Sequence, residues 1–282
     1  MPRVSDNLTS IVAYLYPSEK EALEGARVGG TCFFVRVFTS ARYYDYVITN
    51  RHVVEEANAR FIRLHTHNKD NPIEVIEGAW EYHTQGDDIA ACEFPIRAKY
   101  NYISLPVEFV LTKQNTEDLR IGLGDDLFMV GRFLNHDGKD KNIPVVRFGT
   151  IAMMPDEPIL NNGRLQESFL MEIRTIPGFS GSPVFVHIPD TRFKDHRFRP
   201  TTAERKNFTQ YGYLEKCIGI EWCRIKGETV ATPSINGSAF NIQLTSGMSA
   251  CIPSWKILDL LMTNDKFVKQ REYRDKHMRD DR

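Results

Sequence analysis

Gly178-Phe179-Ser180-Gly181-Ser182-Pro183 is the stretch on which the reading of this chain turns. Two glycines flank a serine, and a small residue and a proline follow it, between apolar runs. Such a segment turns sharply, exposes one hydroxyl and points backbone N–H groups into the space beside it. Attack on a carbonyl needs that combination: a nucleophile, and donors aimed at the oxyanion that forms. Gly-Ser-Pro clusters are mostly ordinary turns. The pattern acquires meaning from what surrounds it.

Outward from that stretch, short runs rich in Val, Ile, Phe and Tyr alternate with turn residues. A first set comprises Ser10–Pro17, Gly30–Phe38, Tyr43–Asn50, Phe61–His67, Pro72–His83 and Asp88–Phe94, with a helical segment at Val53–Ala59. The pattern loosens between Ala98 and Gly122, as in a connector, and Gly122-Leu123-Gly124-Asp125 marks entry to a second unit. A second set follows: Asp126–Phe133, Pro144–Met154, Glu167–Thr175, Ser182–Ile188, Lys216–Cys223 and Ser246–Pro253. Many short strands with little helix predict an all-β sandwich or barrel in two similar units. Asn161-Asn162-Gly163 supplies a turn, since Asn-Gly readily takes positive φ. Pro189–Gly212 is too long and polar for a hairpin loop and reads as a solvated insertion, with a binding loop as the sharper alternative. Ile257, Leu260 and Leu261 at helical spacing predict a packed helix over Pro253–Met262. The resulting domain reading is 1–97 and 122–263 as the two units, 98–121 as connector and 264–282 as a charged tail that either extends the preceding helix or frays, with a solvated face as the default.

Two upstream motifs complete the chemistry. Val47-Ile48-Thr49-Asn50-Arg51-His52-Val53-Val54 is a strand ending in a histidine at the start of a helical turn. Asp87-Asp88-Ile89-Ala90-Ala91-Cys92 places an acid immediately before an apolar strand. The order His52, Asp88, Ser180 is that of chymotrypsin-type triads. With these residues the chain resembles the trypsin/chymotrypsin-like serine peptidases, most closely the Deg/HtrA-type protease domain. The resemblance extends from about Ile11 to Leu261. Gly29-Gly30-Thr31-Cys32-Phe33-Phe34-Val35 looks like that branch's Gly-rich second strand, with Cys32 where glycine is usual. Thr49–Val53 matches its histidine box, Asp88-Ile89-Ala90 its aspartate box, and Ala250–Pro253 with the following helix its ending.

The resemblance implies two six-stranded antiparallel β-barrels with a C-terminal helix, the site lying between the barrels. It implies a serine endopeptidase in which His52, Asp88 and Ser180 are catalytic and the N–H groups of Gly178 and Ser180 form the oxyanion hole. It points to Arg174, Thr175, Ile176, Gly219, Ile220, Glu221 and Trp222 as the substrate-binding segments. Asp88 is preferred to Asp87 because it directly precedes the apolar strand. Three departures shape the expectations. Phe179 stands where secreted relatives carry an aspartate that pairs with a freed N-terminus, so that activation route is not expected. No PDZ-like stretch follows the protease region, so assembly of the Deg/HtrA kind is not assumed. No aspartate occupies the pocket-floor position, which favours medium apolar residues over Arg or Lys. The rival reading is a catalytically latent, protease-like scaffold that recruits, or is activated by, a protein partner.

Composition narrows the remaining classes. The 282 residues are 41% hydrophobic and 26% charged, with a net charge of −1, which gives no global attraction to nucleic acid or an anionic membrane. A secretory signal and an apolar run long enough to span a bilayer are both missing from this sequence, which reads as cytoplasmic. Five widely spaced cysteines (Cys32, Cys92, Cys217, Cys223, Cys251) fit free buried thiols better than disulfides or zinc. His65 and His67 share a strand face but have no third ligand at fitting spacing, so no metal or other cofactor is expected. The basic Arg192–Lys206 stretch carries no nucleic-acid motif. The sequons at Asn7, Asn207 and Asn236 carry little meaning without a secretory route. The expected partner is a protein or peptide substrate.

Overall fold

Alternation of side chains along each strand sorts the apolar residues of this chain into three buried clusters, and the clusters define its architecture. In the computed structural model, residues 4–277 are described, apart from 27–28, 70–72, 95–96, 133–141, 162, 177, 196 and 233–239. Asn162 of the predicted turn, the Asn236 sequon, Pro72 and Phe133 at the ends of two predicted strands, and the last five residues of the tail lie outside them.

The first unit contains β1 (Val12–Tyr16), β2 (Gly30–Phe38), β3 (Tyr43–Thr49), β4 (Phe61–His65), β5 (Ile73–Glu77), β6 (Glu81–Tyr82), β7 (Ala90–Glu93) and β8 (Leu105–Pro106). They form one sheet in the order β5-β4-β1-β2-β3-β7-β6, antiparallel throughout, with β8 added parallel to β2. The second unit contains β9 (Asp126–Arg132), β10 (Pro144–Met153), the hairpin β11 (Ile159–Asn161) and β12 (Arg164–Gln166), β13 (Phe169–Met171), β14 (Pro183–Pro189), β15 (Tyr213–Thr232) and β16 (Phe240–Pro253). Six of them close a barrel in the order β10-β13-β16-β15-β14-β9. The all-β, chymotrypsin-like class is therefore present, with one correction. Among the described residues the first unit is an open curled sheet rather than a closed six-stranded barrel. Its edge strands explain this: β5 carries Glu74 and Glu77, β6 carries Glu81 in only two residues, and charged or short edges resist pairing.

β1 shows how the layers are made. Val12, Tyr14 and Tyr16 enter the cluster between the two units, while Ala13 and Leu15 enter the core of the first. The inter-unit cluster also takes Phe128, Phe185, Ile220, Trp222 and Ile252 from the second unit, whose own core holds Met129, Phe169, Phe179 and Val186. Strands buried on both faces read as continuous apolar runs, which is why they were visible in the sequence.

Helices fill the gaps: α1 (Asp6–Thr9), α2 (Glu19–Glu24), α3 (Arg51–Glu55), α4 (Lys113–Asp118), α5 (Thr202–Tyr211), α6 (Ser254–Thr263) and α7 (Asp265–His277). The insertion at 189–212 contains a 3-10 turn, Asp190–Lys194, and α5. Ion pairs hold it down: Lys216 lies 2.9 Å from Glu204, and Arg192 pairs with Asp125. All five cysteines are free, four of them buried. Among the described residues no helix is long and apolar enough to cross a membrane.

Candidate active site

β3 ends at Thr49, and the extended Asn50 opens α3, which carries His52 in its first turn. The Asn50 side chain is turned away from the helix and donates to the Asp88 carbonyl at 3.0 Å, tying α3 to the loop before β7. The Asp88 carboxylate then grips His52 twice. Oδ1 accepts the His52 backbone N–H at 2.8 Å, and Oδ2 lies 2.6 Å from the ring Nδ1. A carboxylate held there fixes the tautomer with the proton on Nδ1, leaving Nε2 to accept. Asp88 is buried, and the His52 side chain is 24% exposed, enough for one ring edge to meet a substrate.

Asp87 faces elsewhere, toward His83 Nδ1 at 3.0 Å and Lys256 Nζ at 3.3 Å. Burial acts against its charge, but bonds from His83 and Gln166 and the Lys256 charge hold its carboxyl down at about 2.

The sequence reading missed two residues of this cluster. Arg164 Nη1 donates to Asp88 Oδ1 at 2.7 Å, and its other nitrogen pairs with Glu56. Gln166 Oε1 accepts the Asp88 N–H at 2.9 Å. Both come from the β11–β12 hairpin of the second unit. No local spacing could have revealed a contact between residues so far apart in the chain.

The segment bearing Ser180 is clamped by Thr31 of β2. The Thr31 N–H donates to the Ser180 carbonyl at 2.9 Å, and its hydroxyl donates to the Gly178 carbonyl at 2.8 Å. Thr49 in turn donates its hydroxyl to the Thr31 carbonyl at 2.8 Å. Gly181 has φ of 91°, and a Cβ there would fall 1.9 Å from the Thr31 carbonyl oxygen, so only glycine fits. Among the described residues the N–H groups of Gly178 and Ser180 have no acceptor. Phe179 is fully buried in the second-unit core with the Arg147 guanidinium 5.0 Å from its ring centre. At Gly30 the Ser180 carbonyl and the Val53 side chain converge within 2.9 Å of where a Cβ would stand, which sets the serine beside the helix of His52. No hydrogen bond joins Ser180 to His52 in this structure; resting sites of this type are commonly loose until substrate binds.

The predicted substrate segments separate by side-chain direction. Ile220 and Trp222 are buried in the inter-unit core, and the Trp222 indole donates to Ser168 Oγ at 2.9 Å. Gly219 lets β16 approach, since a Cβ would lie 2.1 Å from the Ile252 carbonyl oxygen. Ile176 packs on the second-unit core. Arg174 is exposed and lines a surface hollow with Arg147, Glu172 and Met248. Thr175 and Glu221 are buried polar residues. Burial pushes the Glu221 carboxyl up to about 7, against the opposing influence of His52 and Thr175.

A sequence profile described as "Trypsin-like peptidase domain" matches residues 30–187, more than half of the chain. No curated protein sequence matches it significantly. Among solved structures, the apo MamO protease domain from Magnetospirillum magneticum is 13% identical, covering 91% of this chain and 98% of that one, with a TM-score of 0.53. Deg5 is 14% identical, covering 92% of this chain and 91% of that one, with a TM-score of 0.50. At such identities the likeness is one of fold.

Proposed function

Because the chain belongs to the trypsin-like peptidase domain family, we propose that it is a serine endopeptidase with His52, Asp88 and Ser180 as its triad. The observation that carries this reading is the double grip of Asp88 on His52, at 2.8 Å to the backbone N–H and 2.6 Å to Nδ1. A structural aspartate needs only one of those bonds; a general base needs both its position and its tautomer fixed.

His52 Nε2 takes the Ser180 hydroxyl proton as Oγ attacks the peptide carbonyl. The oxyanion is met by the N–H groups of Gly178 and Ser180, which have no acceptor among the described residues. His52 then donates the proton to the leaving amine. Water enters, and the same base activates it against the acyl-enzyme. These side chains, backbone donors and water suffice for every step. The substrate is a protein or peptide, and the five free thiols suit a reducing, cytoplasmic setting.

Fluorophosphonate labelling read by intact mass tests the assignment. Wild type gains one adduct and Ser180→Ala gains none. Equal labelling of both would sink the assignment of the nucleophile. The absence of a Ser180–His52 hydrogen bond supports a second reading, a latent site or scaffold, and no labelling of either protein would favour it.

A further inference from the structure

Glu221 is a carboxylate whose burial nothing in the fold accounts for. It is 2% exposed, in the strand that flanks the nucleophile. Backbone bonds fix its position: Gly181 N–H donates to the Glu221 carbonyl, and Glu221 N–H to the Ser182 carbonyl, each at 2.9 Å. Alternation fixes its direction. Ile220 and Trp222 point into the inter-unit core, so Glu221 points the other way, toward its β16 partner Cys251. Its backbone is paired to the residues that follow Ser180, and the charges of His52 and Asp88 act on its carboxyl.

The wall around the carboxyl is polar and unsatisfied. Glu221 Oε2 and Ser249 Oγ have no hydrogen-bond partner of good geometry among the described residues, and the Thr175 hydroxyl is the side-chain donor that reaches toward the carboxyl. Ser249 sits two residues from Cys251 and so on the same face of β16. The charged and titratable groups that act on Glu221 are His52 and Asp88 from the first unit, Arg224 on its own strand, and the thiols of Cys223 and Cys251. Arg224 is exposed, and no ion pair joins it to Glu221. A dry carboxylate without a cation is costly, and a group arriving with a positive charge and N–H donors offsets that cost.

We propose that Glu221, with Thr175 beside it, determines specificity by selecting substrates with a lysine or arginine side chain on the acyl side of the cleaved bond. This rests on the serine-endopeptidase reading and reverses the expectation of apolar preference. The missing pocket-floor aspartate is replaced by an acid on the strand wall, while Arg174 turns to a separate surface hollow.

The test uses benzamidine as a cationic side-chain mimic and benzyl alcohol as its neutral counterpart, with binding measured by calorimetry. Wild type and Ser180→Ala should bind benzamidine at least about tenfold more tightly than benzyl alcohol at about pH 8. Glu221→Gln should lose that preference. Acidification to about pH 5.5 should weaken benzamidine binding to wild type, because Glu221, whose carboxyl burial pushes up to about 7, gains a proton. The pH series keeps the proposal testable where the variant fails to fold. Equal binding of the two mimics, or benzamidine binding indifferent to both the substitution and pH, overturns it. Fluorophosphonate labelling run in parallel separates the two readings. Benzamidine binding without labelling removes the peptidase and keeps the cation site; labelling without benzamidine preference removes the specificity alone.

Discussion

Arg164 places a positive charge against the carboxylate on which the proposed mechanism depends. Its Nη1 shares Asp88 Oδ1 with the His52 backbone N–H, so it both orients the carboxylate and reduces the negative charge felt by the imidazolium. Arg164→Ala should move the acid limb of the kcat/KM profile up by about one pH unit, since a cation within contact distance of an acid has effects of that order. Arg164→Lys should restore the wild-type limb. A profile unmoved by both would leave Arg164 a purely structural tie. Glu221 makes a separate claim on stability. Its folded pKa, about 7, lies above the ordinary glutamate value of 4.5, so the folded chain holds this proton more tightly than the unfolded one. Stability is therefore lost as pH rises from the ordinary value to about 7, reaching roughly 3 kcal/mol above that. Glu221→Gln should stabilise at about pH 8 and do little near pH 4 in urea unfolding. An equal effect at both pH values would show that the carboxyl is not desolvated. A destabilising buried carboxyl beside the proposed nucleophile is the pattern expected of function rather than packing. Single residues also mark the limit of reading a sequence. His52, Asp88 and Ser180 announce themselves through neighbours in the chain, whereas Arg164 and Glu221 are ordinary charges until folding places one on a carboxylate and buries the other.

Elements built from runs of one periodicity were the legible ones. The strand run Pro72–His83 is instead broken into β5 and β6 at residues 78–80, where Gly78 leaves room for the Trp80 ring, 2.7 Å from where a Cβ would stand. α5 escaped notice because its sequence, Thr202–Tyr211, is nearly all polar and has almost no apolar stripe to reveal a helix. The loop bearing Ser180 was legible as a turn, but its clamp was not. Thr31 lies far upstream and looks like any strand threonine, yet its hydroxyl donates to the Gly178 carbonyl and accepts the Arg132 N–H at 3.2 Å. Thr31→Val keeps the shape and removes both bonds. Losing a buried hydrogen bond costs about 1–3 kcal/mol. Much of that should fall on the loop, slowing fluorophosphonate labelling about tenfold while circular dichroism is unchanged. Thr31→Ser retains the hydroxyl and should recover the rate. Equal rates for wild type and Thr31→Val would mean that the backbone bond from Thr31 to Ser180 holds the loop unaided.

At the scale of the molecule, the two units follow from the strand pattern, but the way they are strapped together does not. α6 buries Ile257, Leu260 and Leu261 in the cluster between the two units, and the chain then turns at Asn264 into α7, which packs on the first. Phe267 is 1% exposed with its ring 4.9 Å from that of Tyr46, and Arg271 donates to the Tyr46 hydroxyl at 2.8 Å. Tyr44 donates to Asp275 at 2.7 Å, and Arg274 pairs with Glu93 at the end of β7. A segment whose anchors are one phenylalanine and several charges aimed at tyrosines reads as solvated by composition, because its partners are polar tips rather than an apolar face. Since β7 begins two residues after Asp88, this strap also braces the loop that grips His52. Phe267→Ala should cost roughly 3–5 kcal/mol, as for other buried phenylalanines. The loss should be uneven. Hydrogen exchange should rise in β3 and β7 while the closed barrel of the second unit keeps its protection, since opening follows local packing. Uniform loss of protection across both units would mean that they unfold as one cooperative body, with α7 stabilising the whole rather than bracing the half that carries His52 and Asp88.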